Sequence, residues 1–153
     1  MHRLAYLLAA PALSVAAQAP AAPSPLQVAS TVLVEQRTTA ADGTVRVALA
    51  PAKRAVPGDR VVFALDYRNT GKAPIADVVF DNPVPAGIIY RAPAAGSAEP
   101  LVSVDGKTFG ALNSLRVAGR AATAADITHV RWKLAAPIAP GSSGRVAFAA
   151  VLK

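Results

Sequence analysis

Arg60-Val61-Val62-Phe63-Ala64-Leu65-Asp66-Tyr67-Arg68 is the stretch whose pattern decides the fold. Val61, Phe63, Leu65 and Tyr67 fall on one side of an extended chain. Arg60, Val62, Ala64, Asp66 and Arg68 fall on the other. Apolar residues at period two mark a strand with one face in a core, whereas a helix would space them by three and four. The segment is framed by turn chemistry. Before it stands Val56-Pro57-Gly58-Asp59, where Pro presets one backbone angle and Gly takes a positive φ. After it stands Asn69-Thr70-Gly71.

Working outward, the same grammar repeats. On the N-terminal side, Leu26–Arg37 is rich in β-branched residues and predicts a strand. Asp42-Gly43 predicts a tight hairpin, and Thr44–Ala50 alternates with Val45, Val47 and Leu49 on one face, against Arg46 and Ala48. The two segments are expected to pair. On the C-terminal side, Ile75–Asp81 predicts a strand, with Ala76, Val78 and Phe80 opposite Ile75, Asp77 and Val79. It is expected to stop at Asp81-Asn82-Pro83, because proline cannot donate to a central ladder. Pro85-Ala86-Gly87 predicts a turn into a strand at Ile88–Arg91, and Ala92–Pro100 is loop by composition. Leu101–Val104 and Lys107–Phe109, joined at Asp105-Gly106, form a second hairpin candidate. Within Gly110–Thr128, Leu112, Leu115 and Thr123–Asp126 suggest a helical turn with Thr123 as its cap. His129–Leu134 alternates again, with Val130, Trp132 and Leu134 inward and His129, Arg131 and Lys133 outward. Pro137–Gly144 turns, and Arg145–Leu152 is the closing strand.

About eight short strands with regular turn signals and no βαβ rhythm predict an all-β, immunoglobulin-like antiparallel β-sandwich of about 7–8 strands, spanning 26–153. Composition agrees. Thirteen Pro and ten Gly are spread along the chain, which long helices do not tolerate in their interiors. There is no internal repeat and no cysteine, so the domain rests on packing without disulfides.

Met1-His2-Arg3 supplies a basic start to an apolar run from Leu4 to Val15, broken only by Pro11 and Ser14. This run is too short for a membrane span, which needs roughly 20 residues, and suits a secretory signal. Residues 1–17 are therefore expected to be a signal peptide, cleaved before Gln18 after Val15-Ala16-Ala17. Cleavage after Ala19 and an uncleaved anchor are the alternatives. No cysteine follows, which excludes a lipoprotein. Residues 18–25 (QAPAAPSP) are expected to be a Pro/Ala-rich spacer. The chain is thus expected to be exported, to the periplasm or the cell surface, with no transmembrane segment in its mature form.

Eleven Arg and five Lys against nine acidic residues give a formal charge of +7, or +6 once Arg3 leaves with the leader. The basic residues are spaced singly, without a run or an aromatic-interleaved stripe, so no nucleic-acid partner is expected.

Several residues invite a chemical reading, and none completes one. His129 is the one histidine outside the leader, and a zinc site needs several N or S ligands. Ser142-Ser143 sit in a Gly-flanked turn without a nucleophile elbow. Asp59, Asp66, Asp77 and Asp81 raise the question of calcium, but without the spacing that brings several carboxylates together. Gly141-Ser142-Ser143-Gly144 lacks the lysine and helix of a phosphate loop. With Met1 the one methionine, methionine clusters for copper are ruled out. No catalytic, metal or cofactor residues are assigned, and the chain is not expected to be an enzyme.

Val56-Pro57-Gly58-Asp59, the strand ending at Asn69-Thr70-Gly71, and Val78-Val79-Phe80-Asp81-Asn82-Pro83-Val84-Pro85-Ala86-Gly87 together resemble a bacterial surface-repeat family. That family is a domain of unknown function, often found as tandem Ig-like repeats in envelope and secreted proteins. Arg131-Trp132 and Pro140-Gly141 are also similar to it, so the resemblance covers roughly Ala50 to Leu152. The chain departs from the family pattern in reading Asp-Asn-Pro-Val-Pro-Ala-Gly, and in carrying a single copy. The resemblance implies an Ig-like fold outside the cytoplasm and carries no catalytic residues. Its motif positions are Pro57, Gly58, Asp59, Asn69, Gly71, Asp81, Pro85, Gly87 and Trp132. The role expected of the chain is that of a structural or interaction module of the cell envelope, binding another envelope protein or the envelope surface by an exposed sheet edge. The alternative is a small periplasmic protein that binds an anionic ligand or surface through its scattered Arg and Lys.

Overall fold

A computed structural model describes residues 24–52 and 54–153. The signal peptide expected at 1–17, and the spacer up to residue 23, lie outside the described residues. Ten strands and two short 3-10 turns follow one another: β1 (Leu26–Thr39), β2 (Val45–Pro51), β3 (Arg60–Asn69), β4 (Val79–Pro83), β5 (Ile88–Pro93), β6 (Leu101–Ser103), β7 (Arg116–Val117), β8 (Arg120–Ala121), β9 (His129–Lys133) and β10 (Ser143–Leu152). The fold is the expected all-β antiparallel sandwich. A five-stranded sheet in the order β2-β1-β3-β10-β5 packs on a three-stranded sheet, β4-β9-β6, and β7-β8 form a small separate hairpin. Among the described residues no helix is long and apolar enough to cross a membrane.

Alternation at the deciding segment is what builds the core. Val61 of β3 and Val146, Phe148 and Ala150 of β10 are buried on the inner face of the larger sheet. From the smaller sheet Phe80, Val102, Val130 and Trp132 meet them. Phe148 is the hub. Its ring stacks on Phe63 at 5.0 Å and touches Tyr90 at 5.8 Å and Trp132 at 6.2 Å, the last from across the sandwich. Tyr67 and Phe80 make a second contact between the sheets at 5.0 Å. Such aromatic pairs add to the gain from buried area alone. Tyr67 also lies over Gly144 of the neighbouring strand, where a Cβ would collide with its phenol.

Two expectations need correction, and a third is filled in by the structure. The strand expected at Ile75–Asp81 begins only at Val79 and runs on to Pro83, because Asp77 takes a positive φ of 53° and breaks the extended run. Ile75 instead makes an isolated bridge to Ile138, and it joins Val78 and Phe80 in the core rather than facing away from them. Pro83 is tolerated because β4 is an edge strand. Next, Lys107–Phe109 is not a return strand. The Asp105 carboxylate accepts the backbone N–H groups of Lys107 and Thr108, curling this segment into a turn; the chain returns to β6 at Gly110, through an isolated antiparallel bridge to Val102, and the ladder of β6 is with β9. Finally, Gly110–Thr128 holds two 3-10 turns, Leu112–Ser114 and Ala124–Asp126, and the β7-β8 hairpin between them. Thr123 does stand at the head of the second turn, where the Asp126 carboxylate accepts both its N–H and its hydroxyl.

Strand bounds also differ at the margins. β1 runs to Thr39, β5 takes in Ala92 and Pro93, and β10 begins at Ser143. Pro25, assigned to the spacer, is tied to the domain, since its carbonyl accepts the N–H and the hydroxyl of Thr70.

Candidate functional site

Seven of the nine motif residues, all but Asp81 and Trp132, sort to the two ends of β3 and β10. At one end, Val56-Pro57-Gly58-Asp59 closes a turn in which the Asp59 N–H donates to the Val56 carbonyl and Gly58 takes φ 95°. The Asp59 carboxylate accepts the Val56 N–H at 2.8 Å. Gly58 N–H donates to the Leu152 carbonyl, and Leu152 N–H to that of Asp59. Pro85 and Gly87 form a turn at this same end, where the Gly87 carbonyl accepts the Lys153 N–H. At the opposite end Asn69 is fully buried. Its amide donates to the carbonyls of Ala73 and Ile138, both at 2.8 Å, and its side-chain oxygen accepts the Gly71 N–H at 2.9 Å. Gly71 is held close to Pro25, leaving no room for a Cβ. Trp132 is buried between the sheets, and its indole N–H donates to the Ala98 carbonyl at 3.1 Å. Asp81, on the outer face of the smaller sheet, is bound by Arg131. These residues fasten turns and strand ends, fill the core at Trp132 and pair across strands at Asp81, and the structure does not gather them into one site.

The residues weighed for chemistry are likewise dispersed. Asp59 is taken up by its turn, Asp66 pairs with Arg145 at 2.7 Å and Asp81 with Arg131, while Asp77 lies at the break before β4. The Asp66 carboxyl is held below the usual carboxylate range by its hydrogen bonds from Arg145. His129 packs its ring against Gly106 and the edge of Phe109, and its Nδ1 lies 3.0 Å from the Thr128 hydroxyl. Arg131 lies over the face of the same Phe109 ring, a cation–π contact at 3.4 Å. Among the described residues no group of three or more His, Asp or Glu is close enough to hold a metal ion.

What stands out is the hairpin of β1 and β2. β1 is 14 residues long and changes partner along its length. Leu26 to Val34 pair with β3, and Leu33 to Thr39 pair with β2. The two ladders overlap only at Leu33 and Val34, so the far half of the hairpin projects past the start of β3. Cross-strand pairs Arg37↔Val47 and Glu35↔Leu49 set Val45, Val47 and Leu49 on the outer face, the face that carries Val62 and Ala64. These three are 58%, 56% and 49% exposed. On the inner face of β1, Val28 and Val32 are 48% and 36% exposed, because the three-stranded sheet does not reach over them. Period two in Thr44–Ala50 announced a strand. That its apolar side meets water follows from the register, which turns that side to the face away from the smaller sheet and which no local pattern encodes.

A second feature lies beside the hairpin. Glu35, Gly58, Arg60 and Arg91 line a groove of 430 Å³ on the outer face, and Glu35, Gly58 and Arg60 continue it toward Arg37. Among the described residues none of these three arginines has a carboxylate within ion-pair distance. Comparison with protein-family models, curated proteins and solved structures finds no match to this chain.

Proposed function

We propose that this protein is a non-catalytic interaction module of the bacterial cell envelope, exported to the periplasm or cell surface, that binds another envelope protein or the envelope surface through the β2 edge of its larger sheet. The observation that carries this reading is β2 itself. Among the described residues it is the terminal strand of its sheet, with no strand paired to its outer backbone edge and three exposed apolar side chains on one face. Such an edge is a template for adding a strand from another chain, with main-chain hydrogen bonds supplying affinity and alternate side chains supplying selectivity. The leader pattern at 1–17 and the resemblance to surface repeats support the location. The motif residues support a structural role, since turn fastening, core packing and, at Asp81, a cross-strand ion pair account for each of them. Nucleic acid is not among the proposed partners.

The test uses the full chain, tagged at its C-terminus and expressed in a bacterium. Cell fractionation should find it outside the cytoplasm, and retention inside would overturn the location. Capture from an envelope extract is then compared between the natural sequence and a Val45→Lys/Val47→Lys variant. Both positions are more than half exposed, so the fold should survive while the edge gains the charges that natural edge strands use as guards. Loss of a captured protein in the variant supports the reading. Equal capture by both proteins would overturn it.

A second reading, binding of a small anion, is favoured by the groove with Arg37, Arg60 and Arg91 around Glu35. Salt separates the two. Ladder pairing persists at raised ionic strength, whereas exposed charge pairing is screened over about 8 Å at physiological salt.

A further inference from the structure

The sandwich has four lateral edges, and three of them are guarded. β5 carries Arg91, ends in Pro93, and its ladder with β10 is irregular at Ala149/Ala150. β4 ends in Pro83 and holds the Asp81–Arg131 ion pair. β6 is only three residues long. Proline, charge, irregular pairing and shortness are the devices that prevent edge-to-edge pairing. β2 has seven residues, its one proline is the last, and its one charge is Arg46.

The two faces of β2 differ in kind. Its outer face is apolar throughout, with Val45, Val47 and Leu49. Its inner face carries Arg46, Ala48 and Ala50, since these pair with Thr38, Gln36 and Val34 of β1. Arg54 joins that side, lining a groove with Val34, Gln36 and Ala50. Among the described residues neither Arg46 nor Arg54 has a carboxylate within ion-pair distance. The nearby carboxylates are otherwise engaged or turned away. Asp42 accepts the Thr44 N–H, Asp59 accepts the Val56 N–H, and Glu35 is on the outer face.

A strand added to β2 presents its own side chains alternately to these two faces. Resting on the reading of β2 as a binding edge, we infer that its occupant is an extended segment of a partner protein in which apolar and acidic residues alternate. The apolar residues lie beside Val45, Val47 and Leu49, and the acidic ones beside Arg46 and Arg54. Charge argues for such a segment over a second copy of this chain. β2 paired with itself would supply no carboxylate to either arginine, and it would join two chains of net charge +7.

The test measures fluorescence anisotropy of capped, labelled heptapeptides with the full chain. One alternates valine with glutamate, a second valine with threonine, a third valine with lysine. The valine–glutamate peptide should bind about threefold to tenfold more tightly than valine–threonine at low salt, the range for two cross-strand ion pairs. At about 0.5 M salt that advantage should collapse to the valine–threonine level. Arg46→Glu, at an exposed position whose fold is checked by circular dichroism, should invert the order and favour valine–lysine. Equal binding of glutamate and threonine peptides, or an order unchanged by Arg46→Glu, overturns the acidic assignment while leaving the edge reading intact. Binding by no peptide overturns the segment altogether, and the capture experiment then decides the edge reading by itself. A concentration-dependent dimer that Val47→Lys abolishes would make a second copy the occupant and refute the proposal.

Discussion

Removing the side chain of Asn69 should cost more stability than removing any exposed residue, and the arithmetic follows from its three hydrogen bonds. Asn69→Ala leaves the backbone bonds to Ser142 and Gly141 in place. It strips the partner from the Ala73 and Ile138 carbonyls and from the Gly71 N–H. Each bond contributes about 1 kcal/mol net, and a buried group left unpaired costs about 1–3 kcal/mol, so the loss should be about 3–5 kcal/mol. That is a large share of the roughly 5–15 kcal/mol that holds a domain folded. Asn69→Asp preserves the shape but turns an acceptor toward two carbonyl oxygens. At neutral pH it should destabilise at least as much as alanine. Protonation would restore one donor, so the folded-state pKa of this introduced carboxyl lies above its unfolded value of about 3.9. A raised folded pKa means the favourable contribution is present at low pH and fades as pH rises through that folded value. The aspartate variant should therefore recover stability relative to alanine as pH falls toward about 4. Urea unfolding read by Trp132, the one tryptophan and itself buried, measures both variants. A loss below about 1 kcal/mol for Asn69→Ala would show that this amide is not a structural anchor.

Three further outcomes test other parts of the structure. Asp105 is held down at about 2 by the N–H groups of Thr108 and Lys107, then by the Ser103 hydroxyl. Its contribution should be present above about pH 4 and lost as pH falls through the folded value, so Asp105→Asn should flatten the urea midpoint across that window. Gly144→Ala drives a methyl into the Tyr67 phenol and should cost about 1–3 kcal/mol, with partial rescue when Tyr67→Ser makes room. Val47→Thr should stay within about 0.5 kcal/mol of the natural protein, whereas Val130→Thr, fully buried, should lose about 1–3 kcal/mol by urea titration. Equal losses would mean that the outer face of β2 is covered.

The elements that alternation announced best are those with one face in the core. β3 and β9 were legible because Val61 and Phe63, or Val130 and Trp132, need the period that a strand provides. What escaped reading was decided by single backbone or hydrogen-bond choices. Asp77 gives no local sign of its positive φ, yet it moves the start of β4 to Val79. Asp105-Gly106 reads as hairpin chemistry, but the carboxylate caps two N–H groups beyond it and delays the return to β6 until Gly110, which bridges Val102. Asn69 reads as the end of a strand, and nothing local tells that Ile138, far along the chain, will bring its carbonyl to it. The motif turns were legible singly. Their convergence on Leu152 and Lys153 at one end, and on Asn69 at the other, is a property of the assembled sheet. The hairpin of β1 and β2 was visible as a pair, but its exposure was not, for a lone strand carries no sign of which of its faces the other sheet will cover, nor a count of the strands in that sheet.

That count is where fold and proposed function meet. Five strands lie against three. The smaller sheet covers the inner faces of β3 and β10 around Phe148, and past β3 it leaves Val28 and Val32 half open to water. Apolar surface left in water forgoes roughly 25 cal/mol for each Å² that could have been buried, so this overhang adds little to the stability of the isolated domain. The sandwich does not depend on it, because β3 is already flanked by β10 and by the first half of β1. A segment that folding does not need to cover is one that a partner can cover without unmaking any native contact. On the proposed reading, Val45, Val47 and Leu49, which face away from the smaller sheet, are left for association, and the guarded edges elsewhere direct it to β2.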